Sequence, residues 1–371
     1  MPKEWDESSK YNSFNSWKGL TYYEQYKKIV RAMESNAPFP TPIEVSFDLS
    51  HVCQLNCRFC NSSRYLRDDE TISIDQKYMS EGHAISLTKF LLDWGVRGIC
   101  IGGGGESTLN PVSKIIPRIV KYSGKSAHTA FITNGVAMDD EFKNVVVECC
   151  QWIGISVDAG SEETYSRIKG VSPSVFTKVL DNIRRLVGLT DSMDSSLEIT
   201  YKYLLHPDNI GDVYNACKLA KDLGVWGFHA RPADVPSGAV LIDTDKAKEL
   251  LGKCHELETS EFRVFTVYHK FDERMRTTHK FKRCLAAPLL IQVCCDGKVY
   301  LCVDHRIKER FCLGTHYPDP RNILNIWGSD VHKDMMRGVV PDKDCGRCTF
   351  GPYNEQIQNM ILRDSMCVDF T

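Results

Sequence analysis

From residue 43 onward the sequence alternates six short apolar runs with longer stretches of helical periodicity, and that alternation leaves few folds open. The strand-like runs are 43–50, 98–104, 129–134, 152–159, 197–205 and 227–232. Helical patterns fill the intervals at 78–94, 112–122, 139–149, 175–189 and 210–223. Strands joined by helices imply a parallel sheet with right-handed crossovers. Six strands are too few to close an eight-fold barrel, so the expected fold is α/β, an open, TIM-like (β/α)6 partial barrel. In such barrels the chemistry sits at the C-terminal ends of the strands.

Alternation within each strand separates two faces. Ile43, Val45, Phe47 and Leu49 oppose Glu44, Ser46, Asp48 and Ser50 on the first strand. Ile153, Ile155 and Val157 oppose Gly154, Ser156 and Asp158 on the fourth. Thr200 and Lys202 share a face of the fifth, and His229 and Arg231 share one of the sixth. Outer helices must bury the apolar faces, so the polar sets point inward, and a wet interior suits a polar substrate. Lys202, His229 and Arg231 are the catalytic candidates, with Lys202 or His229 as the base. Each also has a structural reading, because an inward Asp–Lys or Glu–Arg pair can simply satisfy itself.

Directly after the first strand comes Cys53-Gln54-Leu55-Asn56-Cys57-Arg58-Phe59-Cys60. Three thiols within eight residues are too close for disulfides and suited to one metal centre. Three thiolates hold three irons of a [4Fe–4S] cube and leave the fourth iron open to a ligand from elsewhere. The plainer readings are a zinc site or unrelated core cysteines, but structural zinc prefers four protein ligands and no fourth of matching spacing lies nearby. The chain has sixteen cysteines and no apolar signal segment at its start, which points to a reducing cytoplasm and metal binding. Cys100, Cys149, Cys150, Cys217 and Cys254 lie in apolar or helical patterns and read as buried thiols.

A second cysteine set follows residue 284. Residues 289–295 and 298–303 read as a hairpin about Asp296-Gly297, a favoured two-residue turn. Cys284 precedes it, Cys302 ends its second strand, and Cys345-Gly346-Arg347-Cys348 comes later. Four thiolates from a hairpin and a CxxC loop close a four-coordinate site, iron–sulfur or zinc. Cys294, Cys295, Cys312 and Cys367 are left over, and Cys294 or Cys295 competes for a place among the four.

The Cys-x3-Cys-x2-Cys spacing, with Phe59 before the last cysteine, resembles the signature of the radical S-adenosylmethionine (radical SAM) enzymes. The resemblance extends from residue 43 to about 350. It implies that the methionine part of the cofactor chelates the open iron, and that one electron cleaves the sulfonium to a 5′-deoxyadenosyl radical, which takes a hydrogen atom from substrate. Gly102-Gly103-Gly104-Gly105-Glu106 resembles the family's motif for the methionine amino group, where only glycine lets backbone carbonyls come so close. Ser156 and Arg167 resemble the residues that hold the cofactor carboxylate, and Asn134 and Asp158 fall where ribose hydroxyls are reached. Phe59 joins this cofactor-binding set. The second cysteine set resembles the twitch domain, the shorter form of SPASM, which implies one auxiliary [4Fe–4S] cluster on Cys284, Cys302, Cys345 and Cys348. A full SPASM pattern would carry another cysteine at 354, where this chain has Asn, so a second auxiliary cluster is not expected.

These implications divide the chain into a helical extension at 1–42, a barrel at 43–258 and a small α+β twitch-like domain with a hairpin at 259–371. The extension, with its helical pattern at 20–33, reads as a helix against the barrel exterior, too short for an independent peptide-binding module. An auxiliary site of four thiolates suits moving an electron, so the expected reaction is a dehydrogenase-type oxidation of a polar substrate. Redox-neutral rearrangement, epimerisation or decarboxylation of a nucleotide or nucleic-acid base is the alternative, as is ribosomal-peptide maturation. An iron–sulfur scaffold or redox sensor is the non-enzymatic reading. A flavodoxin or ferredoxin is the expected reductant. Aromatic and basic residues interleave over 262–283, which suits either phosphates and bases or an edge strand with a solvated helix face. The net charge of −2 gives no global pull toward nucleic acid, and no apolar run is long enough for a membrane span.

Overall fold

The computed structural model describes residues 16–60, 62, 77–233, 242–266, 279–345 and 348–362. Helix α1 (Tyr23–Met33) comes first and buries Tyr26, Ile29 and Ala32. The α/β run follows as β1 (Glu44–Asp48), α2 (Glu81–Trp94), β2 (Gly98–Gly102), α3 (Ile116–Tyr122), β3 (His128–Thr133), α4 (Asp140–Cys149) and β4 (Cys150–Ser156). It continues through α5 (Glu162–Lys169), α6 (Ser174–Ser192), β5 (Glu198–Leu205), α7 (Val213–Asp222), β6 (Gly227–Pro232), α8 (Thr244–His255) and β7 (Arg263–Thr266).

Strands β1 to β7 pair in sequence order, all parallel, as helix-crossover connections require. The alternation is clearest on β5, where Ile199, Tyr201, Tyr203 and Leu205 are buried and Glu198, Thr200, Lys202 and Leu204 are half-buried. Local chemistry fixes the helix ends. Asp139 accepts from Phe142 N at 2.7 Å at the start of α4, and Gly95 ends α2 at φ +101°, a conformation that costs glycine least. Helix α5 lies outside the expected helical stretches. Its signal is the Ser161 cap, which accepts from Thr164 N, then two acidic residues and Gly170 at the far end.

The C-terminal part contains β8 (Leu290–Val293), β9 (Lys298–Tyr300), β10 (Cys312–Thr315), α9 (Asn322–Ile326), α10 (Asp330–Gly338), α11 (Pro341–Asp344) and α12 (Gly351–Gln356). The hairpin forms, but its turn is longer than two residues: Gly297 N donates to Cys294 O at 3.1 Å, with Gly297 at φ +83°. Strand β8 does not start a sheet of its own. It pairs parallel with β1, Val45 opposite Ile291 and Phe47 opposite Val293, and extends one open sheet in the order β10-β9-β8-β1-β2-β3-β4-β5-β6-β7. The architecture is therefore a partial, unclosed barrel continued by a C-terminal hairpin. Strand β7 adds a seventh parallel strand at the far edge, which agrees with the edge-strand reading of the basic–aromatic stretch; residues 267–278 lie outside the described residues. The N-terminal stretch contacts the C-terminal part through Tyr26 to Gln356, Lys333 to the Ser35 and Ala37 carbonyls and Trp327 to the Pro40 carbonyl, and the barrel through Thr41 Oγ1, which donates to Trp94 O at 3.1 Å.

Candidate functional site

The cysteine loop leaves β1 at the C-terminal edge of the sheet and is held by backbone from two neighbours. Gly105 N donates to Ser50 O and Glu106 N to Val52 O, both at 2.8 Å. A Cβ on Gly105 would lie 2.4 Å from Val52 O, so this position requires glycine for the approach of two backbones. Gly104 N donates to the buried Asp48 carboxylate at 3.0 Å, and Gly103 sits against the same side chain. On the other side, Asn56 N donates to Lys169 O and Arg58 N to Ile168 O. Phe59 is buried with Ile168 and Ala233, its ring 5.8 Å from that of His206.

Glu106 and Asn134 lock the loop to β3. The Glu106 carboxylate accepts from Thr108 N and Oγ1, Thr133 Oγ1 and Asn134 N. Asn134 Nδ2 reaches Cys53 Sγ at 3.8 Å, while its Oδ1 accepts from Gln54 Nε2 and Val136 N. Asp158, at φ +63°, forms a fully buried ion pair with Lys169 and accepts from Leu204 N at 2.6 Å. Both carboxylates thus serve protein partners first. Lys169 Nζ also bonds the Ser156 carbonyl at 3.0 Å. Arg167 is partly exposed at the rim, donating to Asp208 O at 2.8 Å and to Glu163.

The barrel interior gathers the catalytic candidates. Lys202 Nζ lies 3.4 Å from His229 Nδ1 and 5.8 Å from the Trp152 ring centroid. Gly154 makes room for it: a Cβ there would meet Lys202 Cδ at 2.6 Å. Burial, with Arg231 adding repulsion, pulls the Lys202 ammonium down to about 8. Burial also lowers Arg231, against attraction from Asp304 and Asp158. At the mouth, Asp48, His51 and Cys294 bring ligand atoms within 4.8 Å of one another, but Arg306 lies 3.5 Å from Asp48 and supplies the counter-charge.

The second thiol set also comes together. Cys284 acts electrostatically on Cys302, Cys345 and Cys348, and Cys348 on Cys302. Burial, aggravated by Cys284 and Asp304, pushes Cys345 up to about 12, and burial raises Cys284 to about 11. In the first set burial raises Cys53 to about 11, with Cys57 and Cys60 adding to it. Half-buried thiols that raise one another are a donor set that a cationic centre would relieve, because metal binding draws off the protons. Both sets therefore fit iron–sulfur clusters. Asn354, where a longer motif would carry a cysteine, accepts from Leu285 N and Ala286 N at 2.7 and 2.8 Å and donates to Cys348 Sγ at 3.9 Å. It fastens the Cys284 segment to the CxxC loop.

The remaining cysteines go elsewhere. Cys294 points to Asp48, Cys295 to Lys77 O and Cys312 to Gly314 O; Cys367 lies outside the described residues. Cys149, Cys150, Cys217 and Cys254 are buried as expected, whereas Cys100 is half-buried. Sequence reasoning passed over His305, Asp304 and Arg306, which bear on Cys345, Thr349 and Asp48 respectively. Their signal was position alone, directly after Cys302.

Residues 48–220 match the Radical SAM superfamily. A probable GTP 3′,8-cyclase of Saccharolobus islandicus is 24% identical over 192 residues, 52% of this chain and 57% of the relative. The antilisterial bacteriocin subtilosin biosynthesis protein AlbA of Bacillus subtilis is 26% identical over 193 residues, 51% of this chain and 39% of the relative. The chain thus spans only about half the length of these curated relatives. Streptococcus suis SuiB bound to S-adenosylmethionine shares the fold at a TM-score of 0.63 and 14% identity, over 94% of this chain and 82% of that one. Among the described residues no helix is long and apolar enough to cross a membrane. The three-thiol loop, fastened to a glycine turn at the open end of a parallel sheet, lies within the part of the chain that matches the radical SAM superfamily, whose cofactors are S-adenosylmethionine and a [4Fe–4S] cluster.

Proposed function

We propose that this enzyme oxidises a polar substrate by two electrons, one removed as a hydrogen atom and one passed to an auxiliary cluster on Cys284, Cys302, Cys345 and Cys348. When bound, the cofactors supply a 5′-deoxyadenosyl radical and a one-electron acceptor. The chain's residues orient the substrate and move the proton. The observation that carries the reading is Asp304, which acts electrostatically both on Arg231 inside the barrel and on Cys302, Cys345 and Cys348. On this reading the auxiliary thiols, which share Asp304 with Arg231, would take up the electron from a substrate held beside Arg231. Lys202, brought toward neutrality beside His229, takes the hydroxyl proton as the second electron leaves.

The test is incubation of the reduced holoenzyme with deuterated candidate alcohols. Deuterium in 5′-deoxyadenosine, with one oxidised product per cofactor cleaved, is the expected outcome. Intact cofactor regained after each turnover would replace this reading with a redox-neutral one. A peptide substrate is the second reading. The name of AlbA refers to bacteriocin biosynthesis, and SuiB has been crystallised with its precursor peptide. Label transfer from a co-encoded peptide, and none from small alcohols, would favour it.

A further inference from the structure

We propose that His305 donates a hydrogen bond to the Cys345 sulfur and so raises the reduction potential of the auxiliary cluster. This rests on the four-thiol cluster reading above, not on which substrate is oxidised.

The geometry assigns the proton. His305 is buried, with Nε2 3.5 Å from Cys345 Sγ and Nδ1 3.2 Å from Lys308 Nζ. An ammonium can only donate, so Nδ1 is the acceptor. The single ring proton therefore sits on Nε2 and points at sulfur. The ring cannot easily turn away, because it stacks on Phe311 at 3.9 Å and 11°. The peptide positions it as well: His305 N donates to Cys302 O at 3.0 Å, so one turn joins a cluster ligand to the ring that serves another.

The physical consequence concerns charge. A cluster gains one negative charge when reduced, and its thiolates carry part of it. A donor aimed at one sulfur stabilises the reduced form more than the oxidised, and hydrogen bonds to sulfur are one of the factors that set cluster potentials. Lys308 polarises the ring from behind and strengthens that donor. No bond is made or broken in this step: one electron arrives from outside, and the hydrogen bond lowers the cost of holding it. His305 is a positioning residue, since it acts through Cys345 and not on substrate.

The test uses the full chain with Cys53, Cys57 and Cys60 changed to Ala, which leaves only the auxiliary thiols, titrated anaerobically by electron paramagnetic resonance. His305→Phe keeps the stack on Phe311 and removes the donor. It should retain about four irons per chain and show a more negative midpoint. His305→Gln, which keeps an N–H, should recover part of the shift. Lys308→Met, which leaves the histidine in place, should move the midpoint the same way by less. Unchanged midpoints in His305→Phe and Lys308→Met at full iron content would overturn the proposal alone. If His305→Phe loses its iron, an unchanged Lys308→Met midpoint overturns it by itself. A three-alanine chain that binds no iron would overturn the cluster reading and the proposal together.

Discussion

Lys202 shows how position converts an ordinary side chain into a candidate base. It sits on the half-buried face of β5, and Gly154 on the neighbouring strand β4 leaves its stem the space to bend toward His229. Its ammonium titrates near 8, below the ordinary 10.5, so the neutral form that accepts a proton grows as pH rises through that value. Product formation should therefore climb with pH to about 8 and level off above it. Lys202→Arg, which keeps the charge but cannot act as a base, should lose this limb and lower turnover by about 10²-fold or more, measured as product per 5′-deoxyadenosine formed. Lys169 has the opposite fate. It and Asp158 are both fully buried, and each is tolerable only because of the other. Lys169→Met should destabilise the fold by about 3–5 kcal/mol in denaturant unfolding, since it strands the Asp158 charge. A loss under 1 kcal/mol would show that the pair contributes little to the fold.

Among the elements, the glycine-rich turn after β2 does more than its sequence suggests. A run of glycines after a strand reads as a place for a ligand, and Gly103 does remain exposed. Gly105, however, is needed for the chain itself, because Val52 and Ser50 backbone atoms occupy the space a side chain would take. Gly105→Ala should force the cysteine loop outward, cost about 1–3 kcal/mol as overpacking does, and deplete iron from the first cluster while sparing the auxiliary one. Iron counts on Gly105→Ala with and without Cys284→Ala separate the two sites. Equal loss from both clusters would point to general unfolding.

Over the whole molecule, the decisive contact is β8 on β1. It turns the C-terminal hairpin into a continuation of the barrel sheet and covers an edge that the barrel would otherwise leave open. A chain ending at residue 258, the boundary that motif spacing suggests, would expose the β1 backbone from Glu44 to Phe47 and also lack β7. Unpaired edges of this kind template association. Such a truncation should be insoluble or oligomeric by light scattering. A monomeric, cooperatively folded fragment would count against the pairing.

Much of this was legible in one dimension because it is local. Strand alternation placed Lys202, His229 and Arg231 on inward faces, and tight spacing gathered Cys53, Cys57 and Cys60, since eight consecutive residues cannot lie far apart. The glycine turn and the CxxC loop were equally visible. The sequence could not show where buried charges would find partners. Asp158 and Glu106 looked available for a ligand, yet Lys169 lies eleven residues from the first and Asn134 twenty-eight from the second. Nor could it show that Asn354 braces Cys284, that His305 faces Cys345 or that β8 joins β1. Those pairings depend on chain segments far apart in sequence that meet only after the sheet has formed, so tertiary structure alone decided them.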